Sequence, residues 1–458
     1  MANRLALILA HSKNLLRSAG KFLKFCCSPC VWVVLLACVP AARTLSANTG
    51  DVFNVRDFGA TGDGKTLDTP AIQKALDACG KAGGGTVLFP AGTYLSHPLT
   101  LRNKTAMRLD AGAKLQATDD PADFRAGGDP GAGTFTPFIT GKKLTDVTLA
   151  GPGTVDGAGA RWWVPAEEAR RKKSGYTLPR PNLIVLTGCK NVRLENLTLQ
   201  NSPKFHFVPT DCDGVVVSNV TILAPPRSPN TDAIDPSASR HVLITKCRID
   251  VGDDNIAIKA GKKMPGREFA CEDITVTDCT FLHGHGMSIG SETTGGVRNV
   301  TVKNCTFENT ENGIRIKSQR GKGGIVENLE YRDLTMRNVD PAITFTCYYM
   351  NNSAKDPGEP TVQPAAGDND PVYRNIRISN LDATCERSAG IILGMPQSTI
   401  SNVSFSNVHI AAATGLTVRN ARGIALNDVK IIAKSGPPFI TENAEITGQA
   451  TATVEAAK

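Results

Sequence analysis

Three aspartates and a histidine fall into one register in the middle of this chain, and two cationic side chains follow them. When the short apolar segments are aligned on Ile234, Ile256, Met287 and Ile314, the column two places earlier holds Asp232, Asp254, His285 and Asn312. One place earlier again stand Thr231, Asp253, Gly284 and Glu311. One place after the apolar residue come Asp235, Ala257, Ser288 and Arg315, and three places after it Ser237, Lys259, Gly290 and Lys317. If these segments are neighbouring parallel strands, about 4.8 Å apart, Asp232, Asp253, Asp254 and His285 meet on one outer face. Arg315 and Lys317 then lie one coil further on. Carboxyl groups crowded in this way cannot all ionise easily, so at least one pKa rises. A group that holds a proton beside one that has lost it is what general acid–base chemistry requires.

Each residue taken singly has a plainer reading. Asp-Asp and Asn-Thr-Asp are common as Asx-turn residues. His285 between two glycines fits a turn, and Arg315 and Lys317 fit a solvated strand face. Aspartate oxygens also suit Ca²⁺, although His285, Arg315 and Lys317 would repel a cation there. The common register of all these residues favours a catalytic constellation over any of these.

That register depends on a repeat. From a short polar or Gly anchor, apolar residues follow at +1, +3, +6 and +8. Anchors stand at Asn191, Gly214, His241, Asp273, Asn299, Asn328, Asn375, Asn402 and Gly423. From Asn191 the apolar residues are Val192, Leu194, Leu197 and Leu199; from Asn299 they are Val300, Val302, Cys305 and Phe307. A spacing of two puts side chains on one face of a strand, and the step of three between +3 and +6 implies a bend. Such a unit cannot bury its own apolar face, so copies must stack as a solenoid. Short strands with almost no helical periodicity predict an all-β parallel β-helix, and the dense leucine pattern of a leucine-rich solenoid is absent. Thr69-Pro70 followed by Ile72, Ala75, Leu76 and Cys79, then Gly83-Gly84-Gly85, predicts one amphipathic helix capping the first coil. Cys247, Cys279 and Cys305 all occupy +6, as small buried hydrophobes; free thiols are expected. The Asn-x-Ser/Thr matches at Asn196, Asn219, Asn299 and Asn304 read as turn asparagines.

The chain has 458 residues, with 51 Lys+Arg against 43 Asp+Glu. Six of the basic residues (Arg4, Lys13, Arg17, Lys21, Lys24 and Arg43) and no acidic ones lie within residues 1–47, leaving 45 basic against 43 acidic. Most of the excess therefore belongs to the N-terminus. No basic block with interleaved aromatics marks a nucleic-acid surface. The basic stretch, the apolar run Val31 to Ala37 and the small residues Ala41, Ala42 and Ala47 read as an export signal over residues 1–47, with the working domain at 48–458. Leu35-Leu36-Ala37-Cys38 resembles a lipoprotein cleavage box, so a lipid anchor through Cys38 is one form of the expectation and an uncleaved membrane anchor is another. No segment marks a stable protein partner, and a monomer without cofactor or metal is expected.

The motifs Asn230-Thr231-Asp232, Gly252-Asp253-Asp254, Gly284-His285-Gly286 and Arg315-Ile316-Lys317, with the opening Val52 to Ala60, resemble the polygalacturonase family of pectin-hydrolysing glycoside hydrolases. The resemblance runs from about Asp51 to the C-terminus. It implies a right-handed parallel β-helix of the pectin-lyase type and an acidic polysaccharide substrate. It further implies that Asp253 is the general acid, that Asp232 and Asp254 activate the attacking water, and that His285 tunes the acid. Arg315 and Lys317 would hold a galacturonate carboxylate, with Asn230 and a tyrosine, either Tyr348 or Tyr349, also facing substrate. Inverting, metal-independent hydrolysis is implied. Ala233 replaces the family's usual Gly. Gly252 and Ile234-Asp235-Pro236 look more like the bacterial, exo-acting branch. The insert from Trp162-Trp163 to Arg180-Pro181, with Arg170-Arg171-Lys172-Lys173, either walls off one end of the cleft or is a solvated loop. Hydrolysis of rhamnogalacturonan or xylogalacturonan, and polysaccharide binding without turnover, are the competing readings.

Overall fold

All nine repeat anchors adopt left-handed backbone conformations, with φ between 53° and 77°. A second left-handed residue recurs at +5 (Asn196, Asn219, Lys246, Asp278, Asn304, Asp333, Asn380, Asn407 and Asp428), with φ between 49° and 59°. That second kink is the bend implied by the step of three. Asn, Asp and Gly tolerate this conformation, and a β-branched residue there would cost roughly 1–2 kcal/mol. The asparagines also ladder from coil to coil. Asn402 Nδ2 donates to Asn375 Oδ1 at 3.2 Å, Asn375 to Asn328 at 3.1 Å, and Asn328 to Asn299 at 3.3 Å. Asn196 and Asn219 form a rung of the second ladder, at 2.8 Å, so these Asn-x-Ser/Thr matches are turn residues.

The structure, a computed structural model, describes residues 50–125, 135–172, 178–261, 270–349, 367 and 369–454. The expected export segment 1–47 with Cys38, and Lys173 of the basic run, lie outside the described residues. Between the kinks the chain forms short strands that pair in parallel with the coils before and after. The +1 residues stack as Val192, Val215, Val242, Ile274, Val300, Leu329, Ile376, Val403 and Ile424. The +8 residues stack from Leu199 through Ile222, Ile249, Phe281, Phe307, Met336, Ala383 and Ile410 to Ile431. These columns are buried and fill the inside of a right-handed parallel β-helix. Burial of each such aliphatic side chain contributes roughly 1.5–3 kcal/mol. Cys247, Cys279 and Cys305 are buried, and the nine cysteines from Cys79 to Cys385 are free thiols.

The helix Thr69–Lys81 carries Pro70 in its first turn and buries Ala71, Ile72, Ala75, Leu76 and Cys79. It packs on the first strands, Val52–Asn54 and Gly85–Phe89, and so covers the apolar end of the first coil. The insert, open between a cleft wall and a solvated loop, carries a second helix, Ala160–Arg171, over its first half. Pro165 inside it obscures the helical pattern. Trp162 anchors it, edge-on to Phe124 and Phe135. Arg170, Arg171 and Lys172 are exposed.

A further column carries the residues singled out above. Phe207 bridges to Ile234, Ile234 to Ile256, Ile256 pairs with Met287, Met287 with Ile314, and Ile314 with Ile343. Gly290 pairs with Lys317 and Ser237 with Lys259. The alignment read from apolar residues alone is therefore the register of the folded chain.

Candidate active site

The acidic residues sit in turns that lead into this column, and the cations sit on its strands. Asp253 and Asp254 fall between strands Arg248–Asp250 and Ile256–Ile258, and His285 between Thr280–Phe281 and Met287–Gly290. The glycines around His285 let its turn lie against both neighbours. Gly284 and Gly286 have φ of +104° and +66°, and a Cβ on them would stand 2.4 Å from Asp253 O and 2.1 Å from Asn312 O. The His285 N–H donates to Asp253 O at 2.9 Å. Buried Asn255 pins the same turn, donating to His283 O at 2.8 Å and accepting from the Gly286 N–H at 2.8 Å.

Asp254 is buried and surrounded by donors. Lys317 Nζ lies 2.7 Å from Oδ2, while Ser288 Oγ and Arg315 Nη1 lie 2.7 and 3.3 Å from Oδ1. Burial pushes this carboxyl up, but Lys317, with His285 and Arg315, holds it well below the usual carboxylate range. It is a fixed negative charge.

His285 joins two acids. Nδ1 lies 3.1 Å from Asp253 Oδ1 and 3.6 Å from Asp254 Oδ1, and Nε2 lies 2.9 Å from Glu311 Oε2. The Nδ1 contacts are ion-pair contacts, without the alignment of a good hydrogen bond. Burial disfavours the imidazolium, but Asp253, Asp254 and Glu311 outweigh it and raise His285 to about 11. Asp253 responds in the opposite sense. Burial raises its carboxyl, and the His285 imidazolium brings it below its ordinary value. Asp253 Oδ1 also accepts the Asp254 N–H at 2.9 Å, and Oδ2 faces Asn230 Nδ2 at 3.4 Å.

Asp232 has the opposite bias. It is 3% exposed, and burial, with Asp235 beside it, pushes its carboxyl well above the usual range against the pull of Lys259. Lys259 Nζ sits 3.2 Å from Asp232 Oδ2 and 2.6 Å from Asp235 Oδ2. Burial likewise raises Asp235, to about 6, although Lys259 opposes it. Asp232 Oδ1 is buried with no hydrogen-bond partner among the described residues. The site thus holds one carboxyl that favours its proton and one that has lost it, the pairing that acid–base work needs.

Asp232, Asp253, Asp254, His285, Arg315 and Lys317 are brought together as the register required, and Asn230, which the resemblance alone implied, lies beside Asp253. Tyr348 is not. It packs against the core, whereas the Tyr349 ring lies over the cations, 5.5 Å from Arg315 Cζ and 5.2 Å from Lys317 Nζ. The reason is local. Tyr348 bridges antiparallel to Gln319 at the end of the strand pair, which turns its neighbour outward. Glu311, Ser288, Asp235 and Lys259 stand in the aligned columns, and their partners show what they add. Arg180 carried no such signal.

Asp253, Asp254 and His285 bring ligand-type atoms within 4.8 Å of one another. As a cation site the set fits poorly: Lys317 and Arg315 already neutralise Asp254, and His285 carries charge of its own.

The family model for glycosyl hydrolases family 28 matches residues 79–435. An endo-polygalacturonase of Pectobacterium carotovorum subsp. carotovorum is 38% identical over 307 residues, spanning 63% of this chain and 74% of its own. The solved polygalacturonase from Erwinia carotovora ssp. carotovora is 30% identical, with a TM-score of 0.66, over 89% of this chain and 100% of that one. The family 28 exopolygalacturonase of Yersinia enterocolitica superposes with a TM-score of 0.75 over 88% of this chain and 79% of that one, at 23% identity, a likeness of fold.

Proposed function

The chain belongs to glycosyl hydrolases family 28, and from that premise we propose that it hydrolyses α-1,4-galacturonosidic bonds in pectate or its oligomers, with inversion. The observation that carries this reading is the cage around Asp254, where Lys317, Arg315 and His285 converge beside Asp253. An acid–base pair flanked by cations suits a sugar that itself carries a carboxylate.

In this reading Asp253 protonates the glycosidic oxygen as the C1–O bond breaks. The proton it needs rests on His285, 3.1 Å away, so His285 and Asp253 act as one proton-holding pair. Water attacks C1 from the opposite face and gives its proton to a carboxylate. Asp232, with its high proton affinity, suits that task once ionised, because a stronger base is the better acceptor. Asp254 is committed to Lys317, Ser288 and Arg315, and it orients the water and stabilises positive charge developing on the sugar ring. Arg315, Lys317 and Asn230, with Tyr349 over the two cations, face the galacturonate carboxylate.

Purified protein mixed with polygalacturonate, assayed for new reducing ends, tests the proposal. Release by wild type and its near-abolition in Asp253→Asn are expected. Binding without turnover, or turnover only of rhamnogalacturonan or xylogalacturonan, would replace it. Inversion is read from the anomer first seen by proton NMR.

Exo action is the finer reading, motivated by Gly252, by Ile234-Asp235-Pro236 and by the insert with its helix Ala160–Arg171. Early monomer from long homogalacturonan supports it, and an early ladder of oligomers overturns it. Export follows from the basic and apolar residues of 1–47. Mass spectrometry of the mature N-terminus tests it, with acylation of Cys38 as the lipid-anchored outcome and a cytoplasmic, uncleaved chain as the contrary one.

A further inference from the structure

We propose that Arg180 is a positioning residue that fixes the side-chain amide of Asn230 and, through it, the orientation of Asp253. This rests on the hydrolase reading above.

Arg180 is only 7% exposed, which is unusual for a guanidinium. Its donors are spent on fixed acceptors. Nη1 donates to Pro203 O at 2.8 Å and Pro229 O at 2.6 Å, and Nη2 donates to Asn230 Oδ1 at 2.8 Å. The two carbonyls belong to segments 23 and 49 residues further along the chain. One planar group therefore ties the end of the insert to the turn that presents Asn230 and Asp232.

The consequence lies in donor–acceptor logic. Guanidinium only donates, so the atom of Asn230 that faces Arg180 must be the carbonyl oxygen. The amide nitrogen is then forced to the other side, where Asp253 Oδ2 stands 3.4 Å away. With Oδ1 of Asp253 taken by the Asp254 N–H and by His285, the donor from Asn230 sets the plane of the carboxyl that must meet the glycosidic oxygen. Burial pulls the Arg180 guanidinium down to about 10, opposed by Asp232 and Asp253, so it remains charged at any working pH.

The test compares wild type, Arg180→Lys, Arg180→Gln, Asn230→Ala and the double variant Arg180→Gln/Asn230→Ala on polygalacturonate, with thermal melting as the control for folding. Gln can present a donor or an acceptor, which frees Asn230 to turn over. Lys keeps the charge and loses the fork. A misplaced acid is expected to cost about 10²-fold in kcat, with a smaller change in KM. The double variant should be no slower than the slower single one, because residues acting as a unit are non-additive. Folded variants with unchanged kcat, or single losses that multiply in the double variant, overturn the proposal. If Arg180→Gln does not fold, Arg180→Lys decides on the same criterion. If neither folds, the residue is structural and the proposal fails. A wild type inactive on polygalacturonate removes the hydrolase reading together with this one; an active wild type with unaffected variants removes this one alone.

Discussion

Lys317 Nζ stands 2.7 Å from Asp254 Oδ2, although 63 residues separate the two in sequence. The contact reaches past the intervening coil of Met287 and is nearly closed to solvent, the side chains being 6% and 3% exposed. Lys317 therefore does more than await a substrate carboxylate: it keeps a buried carboxylate ionised.

Replacing it tests both roles. Lys317→Met should lose most activity and lower stability by about 2–3 kcal/mol, less than the full cost of breaking a buried pair because Arg315 and His285 remain. The folded-state value of Asp254 is depressed, so its contribution is present above the unfolded carboxyl pKa of about 4 and is lost as pH falls through the lower folded value. Urea unfolding of wild type and variant should thus differ most near neutrality and converge towards acid. A gap that is constant with pH would show that Lys317 acts by packing alone.

Glu311 lies on the far side of His285, 2.9 Å from Nε2, and is 71% exposed. Glu311→Gln removes one of the three acids that keep His285 raised to about 11, so the imidazolium should lose its proton at lower pH. In the pH–rate profile the alkaline limb should move towards neutrality while the acid limb stays. Melting temperature should hardly change, since an exposed partner contributes little. An alkaline limb that stays in place would separate His285 from the acid's proton supply.

How much of this was legible in sequence follows from what carries register. Period-two apolar residues and left-handed anchors are local and repeat in every coil, so the column Ile234, Ile256, Met287, Ile314 could be aligned without coordinates. Asp232, Asp253, Asp254 and His285 came with it. Arg180 and Tyr349 did not. Arg180 ends an insert that belongs to no coil. Tyr348 and Tyr349 are adjacent where strand pairing ends, so alternation cannot say which of them turns inward. The helix Ala160–Arg171 went unseen because Pro165 interrupts it, and because it buries only Trp162 and Ala166.

Gly286 offers a check on the turn itself. Gly286→Ala places a methyl group 2.1 Å from Asn312 O in a left-handed conformation with φ of +66°. Backbone cannot yield as a side-chain tip would. A loss of roughly 1–2 kcal/mol is expected from the conformation alone, and displacement of His285 should cost about 10²-fold in kcat. Thermal melting and initial rates on polygalacturonate measure the two separately. A variant that melts lower yet keeps wild-type kcat would show that His285 need not be held so closely.

Lys259 gives the sharpest test of which carboxyl accepts the proton of water. Its Nζ lies 3.2 Å from Asp232 and 2.6 Å from Asp235, and the acids that face it are these two with Asp254 beyond them. Burial already pushes Asp232 well above the usual range, with Lys259 the main group pulling it back. Lys259→Met removes that pull, so Asp232 should hold its proton to still higher pH. If ionised Asp232 is the base, the acid limb of the kcat profile moves up in pH and the rate recovers on the alkaline side of it. Asp254, held ionised by Lys317 and Arg315, should barely respond to the same change. An acid limb that stays where it was in wild type, with kcat lowered uniformly, would therefore reassign the base to Asp254 and leave Lys259 as a group that binds substrate.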